Sequence, residues 1–231
     1  MSEKLVFSKE EIAELASRYK KLYSGVVYDA LFEVVRPEFP FVLSREIGPL
    51  WGDDVLCGPA FTVRGSRLFN PEKKKSITAR MVEEMYDGCI EVISSASCDK
   101  ISIFGEITAS ICRRHGAIGT ITDGCSRDAA ALKAMGYKVY SKGVAMVDSQ
   151  GRWTAVEYQV PTLLDGAEGD VMIYPSDYIF ADGDGVLVIP QKNVWETLEE
   201  AERKVEKEKR IRELVKQGIK VEEIKKREGR W

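Results

Sequence analysis

The chain has 231 residues, 44% of them hydrophobic and 31% charged, with a formal net charge of -3. This predicts a soluble globular protein with a substantial core and excludes the basic footprint of a nucleic-acid binder. The opening MSEKLVFSKEEIAEL has no apolar signal core, and no stretch approaches the ~18 apolar residues of a membrane span, so the expectation is a cytoplasmic protein without a membrane partner.

Ser8 and Glu11 stand in capping-box spacing ahead of Ile12, Leu15, Ala16, Tyr19 and Leu22, which predicts an N-terminal helix closing at Gly25. VVYDALFEVV predicts a second helix that stops before Pro37. CGPAFTVRGSRL alternates as a strand after a Gly-Pro break, KKKSITARMVEEMYDG is helical up to Gly88, and CIEVISSAS is a buried strand. SIFGEITASICRRHG reads as a loop entering a helix, with His115 at the helix end beside Gly116. AIGTITDG, RDAAALKAMG and YKVYSKGV then read as strand, helix closing on Gly136, and strand. This rhythm implies crossover units and an α/β sheet. Beyond Gly143 the chain is β-rich, with two or three short strands in GDVMIYPSDYIFADGDGVLVIP. A long charged helix follows to about Gln217, then a Gly218 stop and a short final helix. The charge run of that long helix reads as a solvated face or a subunit contact. No repeat, low-complexity segment or linker interrupts the chain. The expected organisation is one domain: N-terminal helices over 8–36, a core over about 50–192, and a helical arm over 193–231.

Five cysteines, Cys57, Cys89, Cys98, Cys112 and Cys125, form no CxxC pair, and His115 is the single histidine. A disulfide framework, a structural zinc site and any scheme needing two histidines are set aside, which leaves acid–base work to carboxylates. In FGEITASICRRHGAIGTITDGCSRD, Gly105 and Glu106 open one helix and Arg127 and Asp128 open the next, each just past the carboxyl end of a strand. Ligands of open α/β sheets gather at those ends, and helix N-termini offer free N–H groups to anions. One pocket could therefore receive all four residues. Arg127 suits a carboxylate, Asp128 a hard divalent cation, and Glu106 a water or a proton in transit. The same spacing is also met by a capping Asp128, a surface-paired Arg127 and a first-turn Glu106 favoured by the helix dipole. Asp123 reads as a strand-end turn residue. ADGDG, with Asp182 and Asp184, lacks the glutamate an EF-hand needs at its twelfth position, where Asn193 stands, and reads as a hairpin turn. No GxGxxG, P-loop or GxSxG occurs.

GAIGTITDGCSRDAAALKAMGYKVYSKGV resembles the core signature of the RraA-like family, which includes the 4-hydroxy-4-methyl-2-oxoglutarate aldolases. VVYDAL, GPAFTV, FGEITAS and PSDYIFADGDGVLVIP follow the family's order, with Ser176 where glycine is usual. The resemblance implies an α/β fold, a β/β/α domain of the swivelling type with a C-terminal helical arm, assembled as a homotrimer or homohexamer with the active site at a subunit boundary. It also implies a divalent-metal-dependent aldolase or decarboxylase that converts a 4-hydroxy-2-oxo acid, or oxaloacetate, to pyruvate through an enolate. On that basis Gly105, Glu106, Ile107 and Thr108 would line the substrate, Arg127 would bind the 2-oxo acid, and Asp128 would hold Mg²⁺ or Mn²⁺. Glu106 would move protons through a water, and Glu206 or Glu208 of a neighbouring subunit would reach the site. Thr108 in place of leucine, Lys142 in place of arginine, and the segment SKGVAMVDSQGRWTAVEYQVP depart from the pattern and bear on substrate identity. The family also holds non-enzymatic regulators that bind a ribonuclease or helicase, the alternative reading; these tend to lack the acid that Glu106 supplies. A methyltransferase acting on a menaquinone precursor, a label sometimes attached to relatives, finds no glycine-rich cofactor loop here.

Overall fold

The computed structural model describes residues 7–36, 40–68 and 77–229. Helix α1 (Lys9–Tyr19) opens on the expected capping box: the Ser8 hydroxyl accepts from the Glu11 amide at 3.2 Å, and the Glu11 carboxylate accepts from the Ser8 amide at 2.7 Å. Helix α2 (Ser24–Val35) begins earlier than its apolar pattern suggests and runs through Gly25, which therefore does not close the first helix. The reason is remote: Tyr23 provides no cap, and the Ser24 amide donates at 2.7 Å to Asp182, far along the chain.

The remaining elements, in chain order, are β1 (Gly48–Pro49), β2 (Leu56–Arg67), α3 (Thr78–Glu83), β3 (Ile90–Ser94), β4 (Ser102–Phe104), α4 (Glu106–Arg114), β5 (Gly119–Thr122), β6 (Cys125–Ser126), α5 (Ala129–Met135), β7 (Lys138–Ser141), β8 (Trp153–Tyr158), β9 (Thr162–Leu164), β10 (Val171–Ile173), β11 (Tyr178–Asp182), β12 (Gly185–Ile189), α6 (Val194–Lys216) and α7 (Val221–Glu228). Helix α3 stops at Glu83, short of Gly88, and residues 73–76 of the expected helix lie outside the described residues. Strand β8 adds to the strands read from the sequence, and β9 pairs with β10 as a separate hairpin.

The main sheet runs β1-β7-β5-β3-β2-β11-β12, with β8 on the far end of β2. β2, β3, β5 and β7 are mutually parallel, as the crossover rhythm requires, while β11 and β12 return antiparallel. Along the free edge of β12, Leu43 donates to Val186 and Val188 to Phe41, and the same segment leads on to β1 at the opposite edge. The sheet is thereby nearly closed, which leaves little strand edge unpaired.

Both faces of this sheet are covered, so its strands read as continuous apolar runs rather than clean alternations. Ile179 and Ala181 of β11 point into the enclosed core with Ile90, Val92 and Ile121, while Tyr178 and Phe180 point out beneath α1, α2 and α6. Phe61, Val63 and Ile93 face a third cluster under α3, α4 and α5. The first turns of α6 belong to the core: Val194, Leu198 and Ala201 are fully buried, and Arg18 of α1 grips Glu202 at 2.7 and 2.9 Å. Only its later part carries the solvated charges, ending where Gly218 takes φ +71°.

Candidate active site

SIFG is not a loop. Ser102–Phe104 is the strand β4, and it pairs in parallel with the two-residue β6 as a small sheet separate from the main one. Parallel pairing puts the carboxyl ends of both strands side by side, and α4 and α5 start from those ends. Glu106 and Asp128, 22 positions apart, therefore meet. The backbone supports the junction, since the Arg127 amide donates to the Phe104 carbonyl at 3.0 Å.

Asp128 occupies the N-cap position of α5 but in the left-handed conformation (φ 60°, ψ 32°), and its side chain makes no capping bond to its own helix. Its Oδ2 instead accepts from the Glu106 amide at 3.2 Å, the first N–H of α4. A β-branched or bulky residue resists this conformation, whereas aspartate tolerates it. Gly105 is extended (φ -159°), so its role is spatial: a Cβ there would lie 2.8 Å from Asp128 Oδ2 and 3.2 Å from Arg127 Cγ.

Arg127 and Asp128 line an open cleft of about 460 Å³ together with Ala129, Val144, Ala145 and Met146. The Arg127 guanidinium lies 3.7 Å from Asp128 and 3.5 Å from Asp148 and keeps about half its surface free, so it can still take a ligand. The Glu106 carboxylate accepts from the Ser110 hydroxyl at 2.9 Å, one turn along α4. Thr108 is half-buried and Ile107 is 72% exposed in the first turn of α4, whose amides have no intrahelical acceptors. The structure thus brings Gly105 and Glu106 beside Arg127 and Asp128, with Ile107 and Thr108 in the same first turn of α4; of these six residues, Arg127 and Asp128 line the cleft.

Several neighbouring groups have other duties. Asp123 is buried, and its Oδ1 accepts from the Ser95 amide at 2.6 Å, tying the end of β5 to the end of β3; burial pushes its carboxyl up. His115 is the C-cap of α4. Burial raises the Cys57 thiol to about 11 and the Cys89 thiol to about 12, and it pushes Cys112 and Cys125 up as well, which keeps them as unreactive packing groups. Asp182 and Asp184 belong to the β11–β12 turn. Within the chain, Glu206 of α6 pairs with Lys209, and Glu208 with Arg212 and Tyr23.

One participant escaped the sequence reading. Asp148 sits in the segment SKGVAMVDSQGRWTAVEYQVP, and its Oδ1 accepts from the Gln150 amide at 3.0 Å in an Asx turn. The acid two residues ahead of an amide in VDSQG signals that turn, but nothing local points it at Arg127.

A family model described as RraA-like, Aldolase/RraA, matches residues 27–188. Protein DlpA of Legionella pneumophila subsp. pneumophila is 26% identical over 183 residues, 78% of this chain; the chain spans only 28% of that relative's length. A "Putative 4-hydroxy-4-methyl-2-oxoglutarate aldolase" of Halalkalibacterium halodurans is 28% identical over 162 residues, 70% of this chain and 72% of the other. A solved structure described as one of the novel cellulases from microbes associated with the gut ecosystem superimposes with a TM-score of 0.78 at 29% identity, covering 91% of this chain and 90% of its own. The matched span takes in most of α2, the whole parallel sheet, the Gly105–Asp128 junction and nearly all of the β11–β12 hairpin, and on that ground the chain belongs to the RraA-like family.

Proposed function

We propose that the cleft is the active site of a carbon–carbon lyase that releases pyruvate from a 4-hydroxy-2-oxo acid, such as 4-hydroxy-4-methyl-2-oxoglutarate, or from oxaloacetate, with Mg²⁺ or Mn²⁺. The observation that carries this reading is Asp128. It is held in the left-handed region with its Oδ2 on the first amide of α4, beside Arg127. The relatives named as aldolases support the reaction class.

The donor set fits such an ion. Mg²⁺ keeps several waters and takes one or two carboxylates together with the substrate's oxygens. Asp128 offers one carboxylate whose Oδ1 makes no protein hydrogen bond among the described residues, and no group of three His, Cys, Asp or Glu there forms an all-protein cage. When bound, the cation would supply Lewis acidity to the 2-oxo and carboxylate oxygens of the substrate.

The chain's own groups divide the remaining work. Arg127 binds the substrate carboxylate and stabilises the negative charge that grows on the 2-oxo oxygen as the C3–C4 bond breaks. Glu106, through a water, accepts the proton of the C4 hydroxyl, whose oxygen becomes the carbonyl of the second product. The same relay returns a proton to C3 and completes pyruvate. Ser110 holds the Glu106 carboxylate along α4. The presence of Glu106 also weighs against the ribonuclease-regulator alternative.

We further propose a homotrimer or homohexamer with this cleft at a subunit boundary. Support comes from α4, where Ile107 and Ile111, one turn apart, are 72% and 41% exposed beside the site. Light scattering should give three or six times 25.9 kDa, and a monomer would contradict it. No helix among the described residues is long and apolar enough to cross a membrane.

The test is a coupled assay for metal-dependent pyruvate release across a panel of 2-oxo acids. Asp128→Ala and Arg127→Ala should each lower kcat/KM by about 10²-fold or more, the scale of a lost electrostatic stabiliser. Full rate in Asp128→Ala would end the proposal.

A further inference from the structure

Helix α2 is apolar on more than the face it buries. Val27, Ala30 and Leu31 are fully buried, yet Tyr28 and Phe32, one turn apart, are 40% and 52% exposed where a solvated helix face would carry charges. Their rings stack on one another at 6.2 Å, and Tyr28 stacks on Phe41 at 5.3 Å. Phe41 in turn lines a groove of about 540 Å³ that also takes in Leu31 and Val35 of α2 and Met172 and Tyr174 at β10. Met172 pairs across the β9–β10 hairpin with Leu163, and these two and Tyr174 are each about half exposed. The free parts of the rings of Tyr28, Phe32 and Tyr174 alone come to roughly 300 Å², at about 200 Å² per ring. With Leu163 and Met172 added, the patch reaches the size that marks an interaction site, and its aromatic and methionine content is that of a contact core.

The layout of this face matches a copy of itself. A projection and a recess lie side by side, since the exposed Phe32 stands one position from Leu31 of the groove. A twofold axis would seat each Phe32 in the other copy's groove, the isologous arrangement in which residue i meets j and j meets i. The charges follow the same symmetry. Asp170 and Lys192 line the groove, are exposed, and make no ion pair among the described residues. They belong to opposite ends of β10: Asp170 precedes the strand, whereas Tyr174 follows it and donates its amide at 2.8 Å to Asp177, whose other oxygen accepts at 3.0 Å from the Gln191 amide, next to Lys192. Three strand residues rising about 3.3 Å each hold the two charges roughly 10 Å apart. That is too far for them to pair within one chain, but a twofold turn brings each against its opposite.

We propose that this α2–β10 face binds a second copy of the chain across a twofold axis, with Phe32 entering the partner's groove and Lys192 set against the partner's Asp170. None of these residues lines the cleft, and α2 packs on a different buried cluster from α4. The face stands apart from the lyase reading. Combined with a threefold boundary at the cleft it gives six chains as two rings of three, and only that count rests on the boundary proposed above.

Native mass spectrometry and light scattering of the purified chain read the assembly, with thermal melting to show that each variant is folded. The wild type should give six times 25.9 kDa, Phe32→Glu three times and Ile107→Glu twice that mass, because each substitution puts a charge on one of the two faces. Lys192→Asp sets like charges together and should weaken association through the α2–β10 face about tenfold, two pairs at roughly threefold each. Adding Asp170→Lys to it should restore the wild-type assembly, a rescue that a self-pairing face allows and a foreign partner does not. A wild type of two chains that Phe32→Glu turns into one keeps the twofold face and removes the boundary at the cleft. A wild type of three chains, or six that persist in Phe32→Glu, overturns the inference. A small molecule that co-purifies with three chains and is lost from Phe32→Glu would assign the groove to a ligand and overturn it equally.

Discussion

At the scale of single residues, the site depends on a place where no side chain fits. Gly105→Ala puts a methyl group 2.8 Å from Asp128 Oδ2, and because the nearest atom ends a movable side chain, the carboxylate will shift rather than the fold fail. Activity should fall tenfold to a hundredfold, roughly the cost of a 1 Å misplacement, while the melting temperature stays nearly unchanged; a large stability loss at full specific activity would contradict this. Glu91 tests burial in a different way. It lies wholly inside the cluster beneath α4, accepting from Thr120 at 3.1 Å, and burial pushes its carboxyl up to about 7. Between the unfolded value near 4.5 and about 7, the folded state holds the extra proton, so stability is greatest at the acid end of that window and declines as pH rises through it. The decline amounts to something on the order of 3 kcal/mol. Glu91→Gln should remove most of that slope in urea unfolding at pH 5 and pH 8, and a variant with the wild-type slope would sink the assignment. Asp123 and Asp177, also raised by burial, leave a smaller slope of the same sign.

At the scale of elements, what was legible in the sequence is what local physics decides. The capping box of α1, the stop of α2 ahead of Pro37, the Gly136 and Gly218 helix ends, and the Asp182–Gly185 turn all follow from neighbours within a few residues. What stayed hidden is decided by distant partners. β4 and β6 are three and two residues long, too short to show any period, yet their parallel pairing brings Glu106 to Asp128. Asp148 was invisible for the same reason, because only the lacing of 143–148 onto that pair sets it against Arg127. Ser176 takes φ +69°, a conformation that nothing in the serine itself announces. The start of α2 gives a direct test of remote capping. Asp182→Ala removes the acceptor for the Ser24 amide and should cost about 1–2 kcal/mol, within the range for lost N-caps. Asp182→Asn should recover most of it in chemical denaturation, and an unaltered midpoint in the alanine variant would show that the cap carries no stability.

At the scale of the whole molecule, structure and chemistry are spatially separate. The nearly closed sheet encloses one core and is covered outside by two more, one under α1, α2 and α6 and the other under α3, α4 and α5. The cleft stands outside the main sheet, on the small β4–β6 pair, where the strained Asp128 and the exposed Arg127 disturb none of the three. Substitutions there should therefore change rate far more than stability, which makes activity a clean readout. The most direct measurement is the rate of pyruvate release from 4-hydroxy-2-oxo acids and oxaloacetate by the purified chain with Mg²⁺ or Mn²⁺, set beside the Asp128→Ala protein shown by melting to be folded. Release should require the metal, disappear with chelator, and fall at least a hundredfold in the variant, on the scale of a lost transition-state stabiliser. Release unaffected by chelator and by Asp128→Ala, or none from any 2-oxo acid in the panel, would contradict this.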